Sequence, residues 1–181
     1  MSMDSSVTYG RGFKVFEDCG GYRYFFNNEI ILNFFKKHIN SLNNQEREIV
    51  KEIFELEKQC LNDDESIENV NFEDYLSELA MLDDIEAEFC GDNEKIFTII
   101  ANIISRETGL SIGYFENTDQ SIGAILFEVL YPWLLNEKER ELKSTEDFDK
   151  IIKKYFSELY ENPFDDEWYN TIDYYEIEYW G

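Results

Sequence analysis

The side chains best suited to nucleophilic or metal chemistry are few in this chain. It has one histidine, His38, and three cysteines, Cys19, Cys60 and Cys90. His38 follows two lysines at the predicted end of a helix, where a cation interacts favourably with the helix dipole and the last carbonyls. A Ser–His or Cys–His pair would need His38 itself as the base, and no second histidine is present for a cluster of imidazole ligands. We therefore predict a structural role for His38. The odd number of cysteines, without CxxC spacing, favours reduced thiols.

Two further patterns do not meet the requirements of phosphate or metal binding. The glycines of residues 9–12 and 20–21 match neither a Walker A loop nor a dinucleotide fingerprint, and they predict a strand bulge and a turn instead. Residues 63–69 are rich in oxygen ligands, but an EF-hand that starts at Asp63 places Ile67 at its fifth position. With 40 acidic residues, some pair of carboxylates fits any catalytic spacing. We therefore predict no cofactor and no metal site.

Hydrophobic periodicity predicts the elements that must position any functional surface. Extended patterns indicate an N-terminal hairpin (7–16 and 22–26), a central hairpin (110–116 and 121–129, the second arm alternatively helical) and a C-terminal strand (171–180). Helical spacing predicts five helices, at about 29–39, 45–61, 72–89, 93–107 and 144–159. The fourth has an almost wholly apolar middle and should be the buried core helix. These grouped elements predict a single acidic α+β domain over residues 1–181, with an antiparallel sheet of about four or five strands.

The predicted C-terminal strand has two chemically different faces. Because side chains alternate along a strand, Tyr175, Ile177 and Tyr179 share one face. The opposite face carries Tyr174, Glu176, Glu178 and Trp180. We expect this second face to be an acidic, aromatic outer surface.

Charge is the most informative property of the sequence. The chain has 40 acidic and 16 basic residues, a formal net charge of −24. Residues 59–94 hold 13 acids and no base, and residues 155–181 hold 8 acids and no base. A surface of this sign repels a phosphate backbone, so we predict no direct binding to nucleic acid and a basic protein as partner. With 43% hydrophobic and 17% aromatic residues, the chain can nevertheless bury a packed core.

Acidic side chains of the third helix form a stripe opposite its apolar face. Glu73, Asp84 and Glu88 are spaced to point the same way, and Asp84 and Glu88 lie about 6 Å apart along the axis, a spacing on the scale of neighbouring phosphates. Tyrosine and tryptophan rings near such carboxylates could imitate stacked bases. The candidate partner-binding residues are Glu73, Asp74, Asp84, Glu88, Asp92, Asp165, Asp166, Glu167, Glu176 and Glu178.

In size, charge layout and α+β character the chain resembles the small acidic inhibitors that phages and mobile elements direct against bacterial defence systems. Anti-CRISPR proteins and ArdA-type anti-restriction proteins are examples. The resemblance implies a non-enzymatic DNA mimic that occupies the basic DNA channel of a Cas nuclease or a restriction enzyme.

Other functions remain open at this point. An immunity protein or antitoxin that neutralises a basic toxin nuclease would need the same charge pattern. An enzyme working through carboxylates or a divalent ion, and a structural or regulatory protein, are further alternatives. No apolar run approaches the roughly 20 residues of a membrane span, and residues 1–10 lack signal-peptide features. We expect a cytoplasmic protein acting in a bacterial host cell.

Overall fold

An antiparallel sheet forms the centre of the protein. The computed structural model describes residues 5–19, 22–23, 28–60, 71–79, 93–117, 122–128, 135–142, 144–159 and 172–180. These residues form five strands: β1 (Ser5–Cys19), β2 (Tyr22–Arg23), β3 (Ile112–Glu116), β4 (Ile122–Glu128) and β5 (Asp173–Trp180). The long strand β1 pairs with β5 on one edge and with β4 on the other, β3 lies beside β4, and β2 folds back on the end of β1.

Six α-helices accompany the sheet in the described part of the chain. They are α1 (Asn28–Lys37), α2 (Asn44–Cys60), α3 (Phe72–Leu79), α4 (Asn93–Thr108), α5 (Glu137–Glu141) and α6 (Thr145–Leu159). A short 3-10 turn, Ile39–Ser41, lies between α1 and α2. The predicted α+β fold with an antiparallel sheet is confirmed.

The two faces of the sheet bury different side chains. Phe13, Val15 and Ile125 belong to the main core together with the apolar faces of the helices. Ala124, Leu126 and Ile177 form a smaller buried cluster on the opposite face. Because α4 is buried along its apolar middle, the prediction that it is the core helix is confirmed.

Local sequence signals explain where several helices begin and end. The side-chain oxygen of Asn71 accepts hydrogen bonds from the backbone N–H groups of Glu73 and Asp74, so Asn71 caps α3 as predicted. Gly109 follows α4 with a φ of +72°, a left-handed conformation that glycine adopts easily at a helix end.

The structure differs from the sequence-based prediction at several elements. The first helix ends at Lys37 instead of continuing to Ile39. The second arm of the central hairpin is a strand as predicted, and only the helical alternative is wrong, because β4 pairs with both β3 and β1. The five-residue helix α5 was not predicted, since it is too short for apolar periodicity to show.

The glycines of residues 9–12 also have a different role from the one predicted. Gly10 and Gly12 lie inside β1 at close approach to β4, whereas the register shift lies between Lys14 and Phe16.

Several predictions concern parts of the chain outside the described residues. These are the turn at 20–21, the oxygen-rich segment 63–69, the continuation of the third helix beyond Leu79, and the acidic positions Asp84, Glu88, Asp92, Asp165, Asp166 and Glu167. The three cysteine side chains also lie outside the described part.

Candidate interaction surface

The outer ends of β1 and β5 form a two-stranded ribbon with an exposed aromatic and acidic face. Three large hydrophobic side chains are exposed in the described part of the chain, and all three lie here: Val7 at 51%, Tyr9 at 48% and Tyr174 at 42%. Glu178 lies opposite Val7 and Glu176 lies opposite Tyr9 in the strand register, so they share this face. We call the surface formed by Val7, Tyr9, Tyr174, Glu176 and Glu178 the ribbon face.

The ribbon face is an extension of the helix-covered side of the sheet. Side chains alternate along β1, so Val7 and Tyr9 point to the same side as the core residue Phe13. The predicted exposure of Tyr174, Glu176 and Glu178 is confirmed, and the side chain of Trp180, predicted on the same face, lies outside the described part of the chain. The three exposed side chains lie on the same side of the sheet as Phe13, whereas Ile177 of the same strand points to the smaller buried cluster on the other side.

Arg11 joins the ribbon face to the helical layer. Its guanidinium donates two hydrogen bonds to Asp149 of α6, at 2.8 and 2.7 Å, and it lies 5.0 Å from the ring centre of Tyr174. The hydrogen bond to Asp149 raises the pKa of Arg11, although burial acts to lower it. The rings of Tyr9 and Tyr174 stack with centres 5.4 Å apart and planes 4° apart. These contacts hold the aromatic part of the surface in a fixed arrangement before any partner binds.

The carboxylates of the ribbon face are available for a partner. Glu176 and Glu178 are exposed, and neither has an ion-pair partner among the residues that the structure describes. They are two residues apart on one strand, which separates them by about 7 Å.

The start of α3 presents a second acidic group. Glu73 and Asp74 are both exposed in the first turn of this helix. Carboxylates at this position are stabilised by the positive end of the helix dipole. The two acidic groups are carried by different elements, α3 in the helical layer and β5 in the sheet.

His38 has a different set of partners from the helix-end carbonyls that the sequence suggested. The side chain is 3% exposed, and its two ring nitrogens lie 2.8 Å from Glu107 and 2.6 Å from Glu158. Each ring nitrogen is thus within hydrogen-bonding distance of a carboxylate, one on α4 and one on α6, so the ring bridges these two helices. No sequence pattern indicates this cluster, because the two glutamates are 69 and 120 residues away along the chain.

The hydrogen bonds around Glu107 change its acidity. Burial by itself would raise the pKa of Glu107, but hydrogen bonds from Ser41, His38 and Tyr155 lower that pKa from 4.5 to about 2. Burial, followed by the hydrogen bond to Glu107, raises the pKa of the Tyr155 hydroxyl. Glu107 is therefore an ionised structural anchor at neutral pH.

We expect this anchor to make stability depend on acidity in a defined window. The pKa of Glu107 is lower in the folded protein than in the unfolded chain, so its contribution is complete above about pH 4.5 and is lost as the pH falls toward 2. The wild type should melt at a higher temperature than Glu107→Gln at pH 5, and this difference in melting temperature should shrink as the pH falls to about 2. The exposed residue Glu52 provides the control Glu52→Gln, for which the difference should stay small and flat. A Glu107→Gln difference that does not change with pH would contradict the assignment.

The buried acids of the described residues, Glu46 and Glu139, are used by the fold. Glu46 and Asn43 cap α2 through reciprocal hydrogen bonds of 2.9 Å each, and Glu46 also contacts Arg106. Glu139 forms a capping box with Asn136, and hydrogen bonds lower its pKa against the opposing effect of burial. In the described part of the chain, the buried carboxylates thus stabilise the structure, and the acids left for a partner are exposed.

Comparisons with known proteins identify no relative of this chain. No protein-family model, no curated protein and no solved structure matches this chain. Among the described residues, no group of three or more His, Cys, Asp or Glu side chains is placed to hold a metal ion. In the same residues, no helix has the length and apolar character needed to cross a membrane.

Proposed function

We propose that this protein is a non-enzymatic inhibitor that binds a basic, nucleic-acid-binding defence nuclease and occupies its DNA site. A Cas nuclease or a restriction enzyme is the target class. The acidic surfaces of the inhibitor take the place of DNA phosphates, in the manner of a phage or mobile-element anti-CRISPR protein.

The arrangement of Glu176 and Glu178 is the observation that carries the proposal. Two exposed carboxylates lie on one face of a paired strand, within a segment of 27 residues that has 8 acids and no base. A surface selected only for solubility would intersperse both signs of charge. Here the excess charge is fixed on an ordered element beside aromatic rings, which suits the clefts that bind DNA strands.

The experiment measures how well the protein displaces labelled DNA from a purified Cas effector or restriction enzyme. Glu176→Gln with Glu178→Gln should weaken inhibition by on the order of 1 kcal/mol per residue, because each carboxylate loses a charge-assisted contact with Arg or Lys. Stability should not fall, since neither side chain has an ion-pair partner among the described residues.

A matched control removes the same charge elsewhere. Glu52 and Glu141 are exposed on helices in parts of the chain where bases are present, so Glu52→Gln with Glu141→Gln removes the same two negative charges from the protein. This control should inhibit almost as well as the wild type. Inhibition by the wild type should also weaken steeply as salt rises from about 50 to 500 mM, because salt screens exposed charges. Inhibition that is insensitive both to salt and to the Glu176 and Glu178 substitutions would contradict DNA mimicry.

A further inference from the structure

The ribbon face combines two features that the proposed function does not by itself require. The exposed large hydrophobic side chains of the described residues, Val7, Tyr9 and Tyr174, are contiguous on it. The two exposed carboxylates lie directly across the ribbon from Val7 and Tyr9. Apolar groups gathered in one place and rimmed by charge are typical of a protein interface, whereas a purely electrostatic mimic needs only the charges.

Charge determines what can cover this surface. A second copy of the chain would bring another −24 charges and place two acidic C-terminal segments against each other. Anionic phospholipid and nucleic acid are repelled for the same reason. A basic protein surface is the complementary occupant.

The exposed tyrosine rings of the ribbon face indicate which basic residue the partner presents. The Arg11 guanidinium already lies 5.0 Å from the Tyr174 ring centre. Guanidinium groups stack on aromatic faces and also bind carboxylates through two parallel hydrogen bonds, whereas an ammonium group does neither in the same planar way. Tyr9 and Glu176 are cross-strand neighbours, with Cβ atoms about 5 Å apart, so one incoming arginine can contact the ring and the carboxylate together.

We infer that the ribbon face is the docking surface for an arginine-bearing surface of the basic partner, with Tyr9 and Tyr174 as the aromatic anchors. This inference rests on the proposed function. It adds that the partner is recognised through arginine and not through positive charge alone.

The first experiment compares nona-arginine with nona-lysine as probes of the intact protein by calorimetry at fixed ionic strength. Both peptides are attracted to every acidic segment, so the ratio of their affinities is the informative quantity. The ratio of nona-arginine affinity to nona-lysine affinity should be about five- to thirtyfold larger for the wild type than for the variant that carries both Tyr9→Ser and Tyr174→Ser. The matched variant Tyr9→Phe with Tyr174→Phe retains both rings and should keep the wild-type ratio within about twofold. A ratio unchanged by the serine substitutions overturns the inference.

A second measurement uses only the wild type, so it does not depend on how well the serine variant folds. Adding nona-arginine to the isotope-labelled protein should shift the backbone amide resonances of residues 7–11 and 174–178 most strongly. Largest shifts in another part of the chain would overturn the inference. So would a wild-type dimer in sedimentation that dissociates on the serine substitutions, because the surface would then be a contact between copies.

The inference and the proposed function fail in different ways. If the wild type displaces DNA from the nuclease and the serine variant does so equally well, the ribbon face is not the docking surface. If the peptide ratio and the amide shifts behave as expected but no nuclease is inhibited, the docking surface stands and the proposed function is wrong.

Discussion

Replacing His38 by alanine is expected to cost about 3–5 kcal/mol of unfolding free energy, because two partly buried carboxylates lose the ring that contacts both of them. The imidazole ring is 3% exposed and also packs against Phe34, with ring centres 4.5 Å apart. Urea denaturation of the wild type and His38→Ala at neutral pH measures the loss.

A double-mutant cycle separates charge from packing. In a background that carries Glu107→Gln and Glu158→Gln, no anion is left without a partner, so His38→Ala should cost markedly less. The difference between the two backgrounds is the coupling between the His38 ring and the two carboxylates. Equal costs in both backgrounds would show that His38 serves only as a packed ring.

Gly12→Ala is expected to destabilise the protein by about 3 kcal/mol or more, because no room exists for a methyl group in the centre of the sheet. A Cβ at Gly12 would lie 1.9 Å from the backbone oxygen of Ile125 and 3.0 Å from the Cα of Leu126. Both atoms belong to β4, and β1 is held between β4 and β5 at this position. Backbone atoms paired on both sides cannot move aside as a flexible side chain does.

Gly113→Ala is the control for this prediction. A Cβ at Gly113 would meet only the ring of Phe115, at 3.1 Å, and β3 has β4 as its only neighbour in the described sheet. Because a side chain can rotate, the cost should be far smaller than at Gly12. Equilibrium unfolding of the two variants under the same conditions tests the contrast. Similar values for the two glycines would mean that β1 and β4 do not approach as closely as described.

Most of the local elements and the whole distribution of charge could be predicted from the sequence. Apolar periodicity located α2, α4 and α6, because burial of one side of a helix repeats every three to four residues. Alternation in the last strand indicated that Tyr174, Glu176 and Glu178 share an exposed face, because side chains on a strand change sides at every residue. Counting acids and bases identified the two base-free segments without any knowledge of the fold.

Tertiary structure decided which distant residues meet. The pairing of β1 with β5 places Tyr9 against Tyr174, and the packing of α1, α4 and α6 places His38 between Glu107 and Glu158. Local periodicity reports whether a position is buried, but it carries no information about the partner across 69 or 120 residues of chain. With 40 acids available, the single histidine had many possible partners, and only the packing of the core selected two. The acidic character of this protein is therefore a property of its sequence, whereas its division into exposed carboxylates on the ribbon face and carboxylates that stabilise the interior is a property of its fold.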